Sequence, residues 1–408
     1  MSEAAVRRCR ALLLQASEQP ALDFAALLTG GDAVRTRQSW QALASHLGRV
    51  VELDSEDVRA LSQLSESGWT ARAACAEAMG EARLSALIEH GLVLVEDAAS
   101  TIPASDAALL DPPWHALAAA AHMFSRWSGV DSLAAQEASR IQSTADLIAE
   151  YGPPPPHHHT RADAQQRLDL QRPPPDALDA LMARRATCRN FATDAHIAPA
   201  DLAVLMHRVF GEQGREAIAP GAVALKKNHP SGGGLHPLEA YLIVQRVQDV
   251  PAGLYHYNVE AHALDRLSQR PIEDIGALAL TAVAGQDYFA AAPVLLVIAA
   301  RFARSYWKYR AHPKIHRAIV LEAGHASQNL YLAATECGWG AYVTAAINEV
   351  EIEQAFGLDP LQEGVIAVCG FGPRPAQCST VELDPQNAVW DETGQLVAVM
   401  AREGSAGR

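Results

Sequence analysis

Four consecutive prolines, Pro153-Pro154-Pro155-Pro156, divide this chain. Proline fixes φ and lacks an amide donor, so neither a helix nor a central strand can run through them. Together with His157-His158-His159 and a second cluster, Pro173-Pro174-Pro175, they read as an extended linker. Four parts are expected: an N-terminal unit over 1–110, a helical segment and linker over 111–175, a larger unit over 176–385 and a tail over 386–408. Adjacent histidines point different ways and no carboxylate pattern accompanies the triplet, so no metal site is expected there.

The composition, 408 residues with 49% hydrophobic and 20% charged side chains, is that of a folded chain with a sizeable core. A net charge of -14 argues against nucleic acid and against an anionic membrane surface as partners. No apolar run reaches the ~18 residues of a spanning helix. The segment Met1–Cys9 opens with an acid and lacks a signal-peptide layout. The six cysteines (9, 75, 188, 337, 369, 378) form no Cys-x-x-Cys pair, which suits reduced thiols in a cytoplasm.

In the N-terminal unit, Leu12-Leu13-Leu14 and Phe24–Leu28 are apolar stretches compatible with strand or helix. Beyond them the pattern sharpens. Val50–Leu53 reads as a strand, and Asp54 or Ser55 can cap a helix through Leu61 and Leu64. Thr70 can cap a second helix, and Glu81–His90 makes a third with Leu84, Leu87 and Ile88 on one face. Gly91 ends it and Leu92–Val95 returns as a strand, an order resembling a winged helix. Acids outnumber bases here, so docking of a peptide or subunit is expected rather than DNA binding. In the alanine-rich 112–150, Trp114, Met123, Phe124 and Trp127 offer a buried stripe.

In the larger unit, Asp176 caps a helix, and Pro199 opens another bearing Leu202, Leu205, Met206, Val209 and Phe210 on one face. Ala240–Val244 and Pro293–Ala299 read as buried strands, Gly253–Tyr257 with Ala263–Leu267 as a hairpin, and Val365–Val368 as a final strand. Helices are expected over Pro271–Val283, Pro313–Cys337 and Ile347–Gly357. The long one is rich in small residues, which permit close approach of a helix or subunit.

Three features carry chemistry. Pro230-Ser231-Gly232-Gly233-Gly234 lets backbone pass close to a ligand where a Cβ would collide. Arg185, Thr187 and Arg189 alternate, so an extended segment presents two guanidiniums and a hydroxyl on one face, suited to phosphate; Arg374 can add a third charge. Lysine is scarce: Lys226, Lys227, Lys308 and Lys314 are the whole set. Unlike arginine, lysine can lose its proton when buried.

Arg185-x-Thr187-x-Arg189-x-Phe191, Pro230–Glu239, Gly253-Leu254-Tyr255-His256-Tyr257 and Glu322–Leu330, in that order, resemble the SagB-type dehydrogenases of the FMN-dependent nitroreductase superfamily. The peptide maturation dehydrogenases are the nearest group. The resemblance covers about residues 175–380, and more loosely the N-terminal half. It implies an α+β nitroreductase-like fold, a mostly antiparallel sheet flanked by helices, behind an α/β winged-helix-like domain. It also implies FMN at the interface of a homodimer. Arg185, Thr187, Arg189 and Arg374 would hold the phosphate and ribityl chain. Pro230, Ser231, Gly232 and Gly233 would line the ring, and the Thr344-Ala345-Ala346 backbone would donate amides toward it.

Family members that oxidise azolines carry adjacent Lys and Tyr, which Lys308-Tyr309 match. Lys308, buried beside the flavin, would be the base and Tyr309 would relay or orient. Many nitroreductases carry Asn and Gln where this chain has Gly234 and His236; that departure fits simple nitroreduction poorly and turns His236, with Tyr306, toward substrate. His312 and His316 read as lid or substrate contacts, and Cys188 as a packing residue. The implied activity is oxidation of azoline to azole on a precursor peptide, with a cyclodehydratase complex as partner. A reductase of dehydroamino acids, enones or nitro groups, and a non-catalytic peptide-binding scaffold, are the alternatives.

Overall fold

The computed structural model describes residues 4–31, 34–96, 101–268 and 271–397. Its centre is a six-stranded sheet. From edge to edge the order is Ala263–Ser268, Gly253–Asn258, Leu238–Val244, Val294–Arg301, Glu363–Pro373 and Trp339–Thr344. Every neighbouring pair is antiparallel.

Strand alternation explains why the two central strands are apolar throughout. Leu242, Val244, Leu296 and Ile298 face one core, which the long helix Ile315–Glu336 covers with Ile319, Ala323, Ala326 and Leu330. Ile243, Leu295, Val297 and Ala299 face a second core, covered by Ile275, Ala279 and Ile352 of the helices Ile272–Ala282 and Glu349–Phe356. Both faces being covered, each fully buried aliphatic side chain contributes ~1.5–3 kcal/mol relative to exposure. Asp176 caps the helix Ala177–Arg184 through a capping box, as expected, and Pro199 opens Pro199–Val209 with its apolar face buried. The expected α+β arrangement, an antiparallel sheet flanked by helices, is the one observed.

Some elements were not expected. Trp339–Thr344 is a strand although it begins at what reads as a helix-ending Gly-Trp-Gly. Gly214–Ala219 and Ala222–Lys226 form a separate exposed hairpin.

The N-terminal unit has its own core of Val6, Leu61, Leu84, Leu87, Leu92 and Leu94. Its helices Ser55–Ser62, Arg72–Met79 and Glu81–Glu89 lead into the strand Val93–Val95, which pairs with Ala5–Arg8. Asp54 caps the first helix. Thr70 does not cap the second: it pairs with Val6 in a strand, and Ala71 at the N-cap offers no side-chain bond. Leu12–Leu22 is a strand, paired with Val34–Ala44, and Phe24–Leu28 is a short helix capped by Asp23.

The 112–150 segment is three helices, Ala116–Phe124, Ser132–Ala138 and Thr144–Tyr151. Trp114 and Met123 belong to the sheet's core, and the Trp114 indole donates to the Leu361 carbonyl at 2.8 Å. Trp127 is exposed, outside the expected stripe, while Arg126 beside it pairs with buried Glu353. This part of the segment therefore packs as a wing of the larger unit.

Candidate active site

The glycine loop turns where its sequence requires it. Gly232–Gly234 forms a single tight turn with φ of 70° at Gly233 and 68° at Gly234, a left-handed conformation that disfavours side chains. The Ser231 hydroxyl closes the turn by accepting the His236 N–H at 2.8 Å, and Arg304 donates twice to the Leu235 carbonyl.

The helix Phe302–Tyr309 ends against this loop. A Cβ built on Gly233 would lie 2.6 Å from the Tyr309 hydroxyl oxygen and 3.0 Å from Lys308 Nζ. The two residues expected to be catalytic thus meet the glycine loop. Lys308 is exposed in the single chain, not buried as expected. The helix has one inward face: Phe302, Ser305 and Tyr306 are buried, and Lys308 falls off that face. Tyr306, expected toward substrate, is fully buried, its ring 5.0 Å from that of Trp114. His316 likewise packs inward, 5.4 Å from the His122 ring, and does not form a lid.

Arg185, Thr187 and Arg189 share one half-buried face of an extended segment, while Ala186, Cys188 and Asn190 between them are buried. The segment is held by a parallel bridge between Thr187 and Ala341 and by the Cys188 N–H to the Ala341 carbonyl, 2.8 Å. The Thr187 hydroxyl lies 3.1 Å from that of Tyr331, and the Arg185 guanidinium sits 5.3 Å over the Tyr331 ring. Among the described residues neither Arg185 nor Arg189 is paired with a carboxylate. Burial pushes the Cys188 thiol up to about 12, which suits packing and not a thiolate.

Arg374 is placed differently. It is buried and paired with Glu382, a carboxylate that also accepts the Arg189 and Asn190 amides and the Trp390 indole N–H. Its charge is already matched within the chain. Of the Thr344-Ala345-Ala346 backbone, the Ala346 N–H is taken by the Thr344 hydroxyl at 3.1 Å, and Ala345 lies exposed between them.

A cavity of about 510 Å³ opens on the other side of the loop. Lys227, His236, Glu239, His256, Arg301 and Arg304 line it, so His236 does face a cavity. Lys308 and Tyr309 are not among its lining residues. Lys227 was missed by sequence reasoning although it is one of four lysines. It is buried, and desolvation lowers its pKa against the opposing pull of Glu239 and Glu322. Burial pulls the Glu239 carboxyl up, but the His256 hydrogen bond at 3.1 Å and Arg301 at 2.6 Å outweigh it and hold it below its ordinary value.

The residues fit an FMN. A tight glycine loop that Lys308 and Tyr309 approach at Gly233, with nothing within 4 Å of a Cβ at Gly234, suits a flat ring. The uncommitted Arg185 and Arg189, with the Thr187 hydroxyl between them, suit a phosphate tail.

Residues 182–373 match the family model described as the nitroreductase family. A Methanocaldococcus jannaschii protein named as a nitroreductase, MJ1384, is 35% identical over 128 residues, 31% of this chain and 62% of that protein. The trifolitoxin-processing protein TfxB of Rhizobium leguminosarum bv. trifolii is 32% identical over 149 residues, 35% of this chain and 38% of that protein. The chain thus spans less than two thirds of the length of either relative. Among solved structures, a chain of the E. coli microcin synthetase McbBCD complex with truncated pro-MccB17 bound is 19% identical, with a TM-score of 0.47 over 64% of this chain and 92% of that one. The stretch that holds the antiparallel sheet and the glycine loop, residue 182 to residue 373, is thus the part of this chain that matches the nitroreductase family.

Proposed function

We propose that this chain is an FMN-dependent dehydrogenase in the maturation of a ribosomally made peptide, oxidising azoline rings to azoles. The observation that carries the reading is the seat of Lys308 and Tyr309 against Gly233. The similarity to a trifolitoxin-processing protein supports peptide maturation. FMN, when bound, would supply the hydride acceptor that aromatisation of an azoline needs.

The chain's own residues would do the rest. Arg185, Thr187 and Arg189 would bind the phosphate end, and Pro230–Gly233 would lie along the ring. The exposed Ala345 amide is the donor left for the ring edge. Lys308 would take the proton from the azoline carbon, oriented by Tyr309.

A second copy completes this site. Gly232 packs at Ala318 near one end of the long helix, and Thr187 and Arg185 pack at Tyr331 near the other. Thirteen residues of helix at 1.5 Å each separate them by roughly 20 Å. Val320 and Leu321 are exposed on the helix between, and a Cβ on Gly324 would meet open space. A homodimer packed on this face would bring one copy's loop toward the other's arginines and exclude water from Lys308. The N-terminal unit would dock the peptide or a cyclodehydratase.

The test is to incubate the FMN-loaded protein with a cyclised precursor peptide and weigh the product. Loss of two hydrogens per ring is expected. A gain of two hydrogens would make the protein a reductase.

A further inference from the structure

His229 and His236 flank the glycine loop, and Glu322 faces them from the long helix. All three side chains are buried, with 0%, 5% and 3% of their surface exposed. One ligand atom from each lies within 4.8 Å of the others. The Glu322 Oε1 oxygen is 3.8 Å from His229 Nδ1 and 3.7 Å from His236 Nδ1. Glu322 Oε1, His236 Nδ1 and His229 Nε2 have no hydrogen-bond partner.

An ion pair between histidine and glutamate would close to roughly 2.7–2.9 Å. These separations are too long for that. A tetrahedral ion with bonds of ~2.0–2.1 Å has edges of about 3.3–3.4 Å, so these side chains would draw together by roughly 0.4 Å on binding it. Glu322 Oε1 and His236 Nδ1, unpartnered and 3.7 Å apart, call for an occupant in this dry interior, and His229 keeps Nε2 free while its Nδ1 lies 3.4 Å from the Pro230 carbonyl. Two imidazoles and one carboxylate are the donor set of a borderline divalent cation such as zinc.

We propose that His229, His236 and Glu322 hold a zinc-type divalent ion that pins both ends of the glycine loop to the long helix. The site is structural and stands independently of the flavin reading. It joins Lys227–Leu238, on the cavity side, to the helix that carries the face assigned to the second copy.

The test uses the full chain carrying no polyhistidine tag, with metal measured by elemental analysis after growth with added zinc. About one zinc per chain is expected. Replacing zinc by cobalt(II) should give the visible bands of tetrahedral cobalt in the wild-type protein. Glu322→Gln and His229→Ala should each weaken zinc binding at least about tenfold while the far-ultraviolet circular dichroism is kept. A folded wild-type protein with under about a tenth of an equivalent of metal and no cobalt bands would overturn the proposal. It would assign the cluster to a network with buried Lys227 or to a water molecule. Metal content unchanged in both variants would also overturn it, since the ion would then sit elsewhere, as on His157–His159. FMN content, read on the same samples, separates this outcome from the fate of the flavin reading.

Discussion

The Cα of Gly233 is where the Tyr309 hydroxyl touches the glycine loop: a Cβ there would stand 2.6 Å from that oxygen. Gly233→Ala would therefore meet both a steric clash and a left-handed backbone that costs an alanine ~1–2 kcal/mol. Gly234→Ala shares the strain, with φ of 68°, but meets nothing within 4 Å. The expected result is FMN affinity lowered at least about tenfold in Gly233→Ala and much less in Gly234→Ala, read by fluorescence titration. Equal losses in both would mean that strain alone is responsible.

Lys308→Ala is expected to keep its FMN and lose turnover by roughly 10²–10⁴-fold, the range of a lost general base. Product mass per unit time on a cyclised peptide measures it. Turnover near that of the wild type would remove Lys308 from the chemistry.

Two arginines once grouped together should separate experimentally. Arg374 is buried against Glu382, and Arg374→Ala leaves that carboxylate without its cation, at a cost of ~3–5 kcal/mol. Arg185 has no carboxylate partner, only the Tyr331 ring beneath it, so Arg185→Ala should cost far less stability and weaken FMN by roughly 10–100-fold, the worth of a charge-assisted hydrogen bond. Thermal denaturation and FMN titration on both variants check the split.

His122 makes stability fall in acid. Burial, then the charge of His316, holds its pKa down to about 3 against an ordinary 6.5. Between those values the unfolded chain binds a proton that the folded chain refuses. Stability therefore drops as pH falls through that window, by up to ~1.4 kcal/mol per unit, and is flat above it. His122→Gln, which keeps a donor for the Pro360 carbonyl, should flatten the dependence between pH 6.5 and about pH 5 in denaturant titrations. An unchanged slope would place the acid sensitivity elsewhere.

Sequence carried the local physics well. Apolar runs, capping aspartates and Pro199 located the central strands and most helices. The R-x-T-x-R alternation is present as a half-buried face. What it could not carry was the partition of faces decided by tertiary packing. Tyr306 and Lys308 lie on one short helix, yet the first joins Trp114 in the core and the second stays outside. Trp339–Thr344 escaped notice because Gly340 reads as a breaker. Its glycine is needed because a Cβ would run into Cys188 and Arg374, residues far away in sequence. Glu382, which claims Arg374, gave no motif at all. The His229, His236 and Glu322 cluster likewise forms only when the loop packs on the long helix.

The central claim is that this domain binds FMN, and the most direct measurement is the absorbance of the purified protein followed by release of the chromophore on denaturation. A yellow protein yielding about one FMN per chain, or a colourless one that takes up added FMN, is the expected result. A folded, colourless protein that binds no added FMN would contradict the account.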